Sequence, residues 1–152
     1  MNNLSTLKGA LLAGMLLLAG CSTKPQDVRY GEDQCAHCKM IITDARFAAE
    51  IVTDKGKALK FDAIECLATY LQQHPELNNE TAARWVSDFN DPGQWLKAEE
   101  ARYVQSEEIR SPMGKSLLAL QNEQVVNKHL DEYPGKELGW DDLMSLAANR
   151  WN

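Results

Sequence analysis

The first twenty-one residues, MNNLSTLKGALLAGMLLLAGC, constrain the fold most, because they decide how much of the chain is left to form a domain. Lys8 supplies a weakly positive start. The apolar stretch from Gly9 to Gly20 has the length of a secretory signal, about 7 to 15 residues, and is too short to span a bilayer. We therefore assign residues 1–20 to a signal peptide. The 132 residues that remain predict an exported protein with one compact core.

The end of this segment, Leu18-Ala19-Gly20-Cys21, places small residues directly before a cysteine. It resembles the lipobox of bacterial lipoproteins, in which the cysteine becomes the lipid-bearing N-terminus after cleavage. We expect Cys21 to carry the lipid, palmitate included, on the periplasmic face of the membrane. Ser22 favours the outer membrane over the inner one. A plain secretory signal with an incidental cysteine is the alternative.

The charge of the chain excludes one class of partner. The formal net charge is −6, and it becomes −7 when Lys8 leaves with the signal peptide. Nucleic-acid phosphates need a basic surface, so we expect no nucleic-acid partner. Residues 21–33 are polar with one Pro and one Gly, and they predict a short tether between the lipid and the domain.

The first half of the domain has the pattern of a hairpin followed by a helix. Residues 46–53 and 58–61 predict two strands joined by the turn Asp54-Lys55-Gly56-Lys57. Asp62 is placed as a helix N-cap, with Glu65 as its capping-box partner. The helix is expected to end at His74-Pro75.

The second half repeats this order. After a strand predicted at residues 84–89 and a turn, there follow a strand, an apolar run, a helix and a short strand: Ala101–Gln105, Leu117–Leu120, Asn122–Tyr133 and Lys136–Trp140. The start Phe61-Asp62-Ala63-Ile64 aligns with Trp140-Asp141-Asp142-Leu143, which predicts a capping device used twice. The fold class is α+β, with two small ββαβ-like units packed together, at about 34–90 and 91–152.

Chemistry is concentrated in Gln34-Cys35-Ala36-His37-Cys38-Lys39-Met40. Attached haem needs a histidine directly after the second cysteine, and Lys39 stands there. A redox pair needs its first cysteine at a helix N-terminus, but residues 40–43 are strand-like. Structural zinc needs a second pair of ligands, which the sequence lacks. A disulfide between Cys35 and Cys38 that staples a loop is a further alternative.

Thiolate and thioether sulfur suit Cu(I), which accepts two or three such ligands. Cys35, Cys38 and Met40 can converge from a loop, and Met113, between Pro112 and Gly114, has little packing to gain in a turn. We therefore predict a Cu(I) site at Cys35, Cys38 and Met40, whereas Met113 is either a further ligand or a side chain that fills a gap under its loop. His37 is expected to be a neighbour or weak third ligand, and Cys66 a small core residue.

Several stretches beyond the cysteine loop carry a family resemblance: Cys21, Cys35–Ile51, Lys60–Asp62, Cys66-Leu67, Tyr70-Leu71, Trp85–Phe89 and Ser111–Gly114. Together they resemble the NosL family, copper-binding lipoproteins encoded with the nitrous-oxide reductase system of denitrification. The resemblance extends over residues 34–152, with one departure: Lys39 stands where many members have Gly.

The resemblance implies a copper chaperone made of two ββαβ modules. Such a chaperone holds Cu(I) in the periplasm and delivers it for assembly of the copper-sulfide centre of nitrous-oxide reductase. The implied partners are an ABC transporter, a periplasmic β-helical protein and, indirectly, the reductase. We expect no catalysed reaction. The alternative is a periplasmic thiol-disulfide oxidoreductase acting through Cys35 and Cys38.

Overall fold

The computed structural model describes residues 23–151. The predicted signal peptide and the lipidation of Cys21 lie outside these residues. The elements are β1 (Ala49–Thr53), β2 (Ala58–Phe61), α1 (Ile64–Gln73), α2 (Leu77–Glu80), β3 (Thr81–Ser87), β4 (Trp95–Lys97), β5 (Arg102–Gln105), β6 (Leu117–Leu120), α3 (Glu123–Glu132), β7 (Lys136–Leu138) and α4 (Trp140–Ala148).

Two antiparallel sheets share one topology. In the first, the strand order is β2-β1-β3-β4, and in the second it is β6-β5-β7. In both, the opening strand lies in the middle, its hairpin partner on one side, and the strand that follows the helix on the other. The predicted α+β fold with two ββαβ units is confirmed, and β4 is an addition at the edge of the first sheet.

The predicted hairpin is confirmed, with Ala49 paired to Phe61 and Val52 to Ala58. Its first strand begins three residues later than predicted, because residues 45–47 form a turn. In that turn the Arg46 guanidinium pairs with the Asp44 carboxylate at 2.7 Å. Gly56 occupies the tight turn of the hairpin with φ +77°, a conformation that glycine adopts without strain.

The two units pack through their helices, with α1 against α4. Strand β6 is buried along its whole length because both faces are covered. Leu117 and Ala119 face the main core, which α1 and α4 share, whereas Leu118 and Leu120 pack with Val126 of α3. A continuous apolar run is the expected sequence of a strand covered on both sides.

The predicted capping device is wrong. Helix α1 begins at Ile64, and its N-cap is Ala63, which has no side-chain cap. The buried Asp62 carboxylate interacts with the backbone N–H of Thr43 instead, and burial raises its pKa. Helix α4 already includes Trp140, and there Asp142 accepts the N–H of Gly139 at 2.9 Å. The two starts therefore differ in register and in the residue that caps them.

Residues 23–27, which belong to the predicted tether, are hydrogen-bonded to one face of the first sheet. The N–H of Gln26 donates to Glu50 at 2.8 Å, the Lys60 ammonium to the Asp27 carbonyl at 2.5 Å, and the Trp85 indole to the Thr23 carbonyl at 2.9 Å. Glu50 is the cross-strand neighbour of both Lys60 and Trp85. This part of the chain therefore packs on the domain. Among residues 23–151, no helix has the length and apolar content needed to cross a membrane.

Glu50 should make the stability of the protein depend on pH. Its side chain is fully buried, and burial raises its pKa from 4.5 to about 7. As the pH rises from about 4.5 to about 7, the unfolded chain loses this proton before the folded one does. The free energy of unfolding should therefore fall with rising pH, by up to about 3 kcal/mol from this residue.

In Glu50→Gln the fall in the free energy of unfolding that is due to Glu50 should be absent. Chemical denaturation should therefore show the variant becoming more stable relative to the wild type as the pH rises. The exposed Glu80→Gln is the matched control and should follow the wild-type profile. A Glu50→Gln profile parallel to the wild type would contradict the assignment.

Candidate metal centre

A tight loop holds Cys35 and Cys38. Gln34 and Ile41 form an isolated antiparallel bridge, and the N–H of Cys35 donates to the Met40 carbonyl at 2.8 Å. The loop is fixed to β2 by the N–H of Ala36, which donates to the Lys60 carbonyl at 2.8 Å. The second cysteine of the C-x-x-C lies in a turn, and no helix follows it. The position expected of a thioredoxin-like pair is therefore not found here.

Lys39 completes the turn in the left-handed region, with φ +66°. Its N–H donates to the Cys35 carbonyl at 3.1 Å, and its ammonium to the Ala36 carbonyl at 2.7 Å. Glycine is the residue that adopts this conformation at least cost. A lysine at position 39 therefore keeps the turn that glycine would form, at the cost of some backbone strain.

Lys39→Gly should raise the free energy of unfolding by up to about 1 kcal/mol, because relief of the left-handed conformation, worth about 1 to 2 kcal/mol, exceeds the cost of the greater freedom of glycine in the unfolded chain. Lys55→Gly is the matched control: Lys55 is exposed in the hairpin turn and has no positive φ. It should lose up to about 1 kcal/mol through the greater freedom of the unfolded chain. Urea denaturation measures both, and equal changes of the same sign would contradict the account.

Helix α1 brings a third cysteine to the loop. Cys66 lies in its first turn, and the sulfurs of Cys35, Cys38 and Cys66 are all within 4.8 Å of one another. Cys35 and Cys66 are buried, and Cys38 is half-buried. All three are free thiols. The prediction that Cys66 only fills the core is therefore incomplete, since this core residue also belongs to the cluster.

The environment favours one thiolate in this cluster, at Cys35. Its pKa is lowered well below the usual range, first by the hydrogen bond from the Cys66 thiol and then by the backbone N–H of Asp62, against the opposing effect of burial. The N–H groups of Cys38 and His37 act in the same direction. The pKa of Cys66 is raised because it donates to Cys35, and burial raises the pKa of Cys38. The thiolate is the form of cysteine that binds metals.

The three sulfurs fit a single soft metal ion. A metal–sulfur bond of about 2.3 Å places three thiolates around one ion at about 4 Å from each other. The sulfurs within 4.8 Å need only a small closing movement to reach that spacing. In residues 23–151 no histidine, aspartate, glutamate or fourth cysteine joins this group. Tetrahedral zinc would want a fourth ligand, whereas a soft monovalent ion accepts two or three.

Both predicted methionine ligands are exposed, and one of them, Met113, lies beside a cavity that Cys66 also lines. Met40 is 46% exposed and Met113 38% exposed, unusual values for large apolar side chains in this protein. Met113, His37 and Cys66 line the same cavity, of about 390 Å³. Coordination by either thioether stays a prediction. The fold and the cluster define a small α+β protein with a candidate centre for a soft metal ion.

Comparison with known proteins agrees with this description. The family model NosL matches residues 29–147, so the chain belongs to the NosL family. The fold also resembles the crystal structure of the copper chaperone NosL from Shewanella denitrificans, with a TM-score of 0.69 and 19% sequence identity. That match covers 80% of this chain and 96% of the other. At this identity it supports the fold alone. No curated protein sequence matches this chain.

The cluster could be predicted only in part. The spacing of Cys35 and Cys38 indicated a soft-metal site, but Cys66 lies 28 residues further along the chain and on a different element. Its apolar surroundings in α1 fit an ordinary core residue. The one sequence signal for a role of Cys66 was the odd number of cysteines, since the three after Cys21 cannot all form disulfides within one chain.

Proposed function

We propose that the protein is a copper chaperone, and that Cys35, Cys38 and Cys66 hold one Cu(I) ion as cargo. The observation that carries the proposal is the convergence of three sulfurs within 4.8 Å, with the Cys35 thiolate stabilised by the Cys66 thiol and by backbone N–H groups. Membership of the NosL family supports it. So does the printed description of the matching solved structure, a copper chaperone.

Release of the ion would proceed by ligand exchange. An acceptor ligand attacks the ion before the last thiolate leaves, so no bare Cu(I) is formed. The site suits this order of events because Cys35 and Cys66 are buried, Cys38 is half-buried, and Met113 is exposed beside the cavity that Cys66 lines. A low-coordinate site leaves room for the incoming ligand, whereas a closed cage of four ligands would resist transfer.

The acceptor we propose is the maturation system of nitrous-oxide reductase, through its ABC transporter and periplasmic β-helical protein. The resemblance of the cysteine loop to the NosL family supports this destination. The predicted lipid at Cys21 would hold the protein at the periplasmic face of the membrane, with the outer membrane favoured. In this role the protein binds and transfers an ion, and it catalyses no reaction on a substrate.

Competition with a Cu(I) chelator tests the proposal. The reduced protein should take one Cu(I) per chain from the chelator, and the double variant Cys35→Ser/Cys38→Ser should take none. Ser87→Ala is a suitable control, because Ser87 is buried as Cys35 is and its hydroxyl has no partner within residues 23–151. Weak Cu(I) binding by the wild type, or full binding by the double variant, would exclude a chaperone role for this cluster.

One observation favours the alternative, a thiol-disulfide oxidoreductase. The lowered pKa of Cys35 is a property expected of an attacking thiol. Two steps separate the functions: the protein is equilibrated with thiol-disulfide buffers, and its remaining free thiols are then trapped and counted. An oxidoreductase should give a reversible Cys35–Cys38 disulfide at potentials of the exported compartment. A chaperone should be protected from that oxidation once Cu(I) occupies the sulfurs.

A further inference from the structure

The loop that carries Met113 belongs to the second unit, yet it is fastened to the first. It connects β5 to β6, and its base is tied to its own sheet: the Ser106 N–H donates to the Ser116 carbonyl at 3.0 Å, and the Gln105 side chain to the Lys115 carbonyl at 3.1 Å. A turn closed by the Gly114 N–H on the Ser111 carbonyl, at 3.0 Å, places Met113 at its apex.

Glu65 of α1 is the anchor in the first unit. The Ser111 hydroxyl and the Lys115 N–H, at 3.2 Å, both donate to the same carboxylate oxygen, Oε1. The Ser111 hydroxyl also accepts the Ser116 N–H at 2.9 Å. Glu65, which sequence analysis assigned to a capping box, thus holds both sides of the Met113 turn, and it does so from the residue next to Cys66.

The cost of this arrangement argues for a role beyond packing. Glu65 is only 3% exposed and has no cationic partner among its hydrogen bonds, and its second oxygen has no partner within the part of the chain that the structure describes. Burying a carboxyl that is not fully satisfied costs stability. An apolar side chain would fill the same space without that cost, but it could not fix the orientation of the turn.

The geometry points to Glu65 as a positioning residue for copper transfer: through Ser111 and Lys115 it holds the Met113 thioether at the mouth of the cavity that Cys66 lines. This inference rests on the proposed function. Met113 then offers a soft ligand between the buried thiols and solvent, so that the ion leaves by exchange from sulfur to sulfur. The cavity of about 390 Å³, lined by both residues, is the space in which that exchange takes place.

The rate at which Cu(I)-loaded protein transfers its ion to a chelator tests the inference. Ser111→Ala and Glu65→Leu should slow transfer about 10- to 100-fold, the usual cost of losing a residue that supports a metal site. Met113→Ala should slow it at least as much. Glu65→Gln should transfer at close to the wild-type rate, because its amide oxygen still accepts both donors. Ser87→Ala should have no effect, because the hydroxyl of this buried serine has no partner in the described part of the chain.

The double variant Ser111→Ala/Met113→Ala shows whether Ser111 acts by positioning Met113 or only by stabilising the fold. If Ser111 acts through Met113, the double variant should be no slower than Met113→Ala alone. The inference would be overturned if the double variant were slowed by the product of the two single effects, or if Met113→Ala transferred its ion at the wild-type rate. Neither outcome bears on the thiol-dependent affinity for Cu(I). Weak Cu(I) binding by the wild-type protein would instead overturn the proposed function.

Discussion

Cys66→Ser should lower the affinity of the protein for Cu(I) by more than the roughly 10- to 100-fold that loss of a supporting residue costs at a metal site. Cys66 contributes one of the three sulfurs that converge within 4.8 Å. A hydroxyl is a hard and weakly basic donor that does not replace a thiolate on a soft ion. The substitution nearly keeps the side-chain volume, so the helix and the core should be maintained.

Chelator competition measures this loss, with Ala68→Ser as the matched control. Ala68 is fully buried in the same helix, and serine there adds a hydroxyl to the core without removing a thiol. The control should keep wild-type affinity. Equal affinity of Cys66→Ser and the wild type would instead support the prediction from sequence, that Cys66 only fills the core.

Cys35→Ser should have the largest effect and abolish measurable Cu(I) binding. Cys35 is the sulfur to which the Cys66 thiol donates, and the backbone N–H groups of Asp62, Cys38 and His37 add to this effect, so it is the site of the stabilised negative charge. In Cys35→Ser the effect of Cys35 on the pKa of Cys66 is gone, but burial still raises the pKa of both remaining thiols, so neither replaces the Cys35 thiolate.

The ultraviolet absorbance of thiolate tests the same assignment without metal. Because the folded pKa of Cys35 is lowered, the wild type should keep one thiolate per chain at pH values well below about 8.5, where an ordinary thiol is protonated. Cys35→Ser should have none in that range, and Cys38→Ser should keep it. A thiolate that persists in Cys35→Ser would place the charge on another cysteine.

What the sequence could predict is what depends on neighbouring residues. The hairpin of β1 and β2, the end of α1 at His74 and the loop that holds Cys35 and Cys38 all follow from local patterns, and the structure has them. Asn122, the N-cap of α3, accepts the Val125 N–H at 3.1 Å, as an asparagine at a helix start is expected to do.

What the sequence could not predict is where tertiary contacts compete with local ones. Asp62 and Glu65 have the spacing of a capping box, yet Asp62 interacts with Thr43 and Glu65 with Ser111, each far away along the chain. Cys66 meets Cys35 only because α1 packs beside the loop. These three residues follow one another closely in sequence, and their tertiary contacts assemble the site at the expense of a regular helix start.

X-ray absorption at the copper edge, on the Cu(I)-loaded wild type and on Cys66→Ser, tests most directly whether the three cysteines hold one ion. The number of sulfur ligands per copper should fall by one in Cys66→Ser, and Ala68→Ser should leave it unchanged. An identical sulfur count in Cys66→Ser and the wild type would contradict the three-cysteine site.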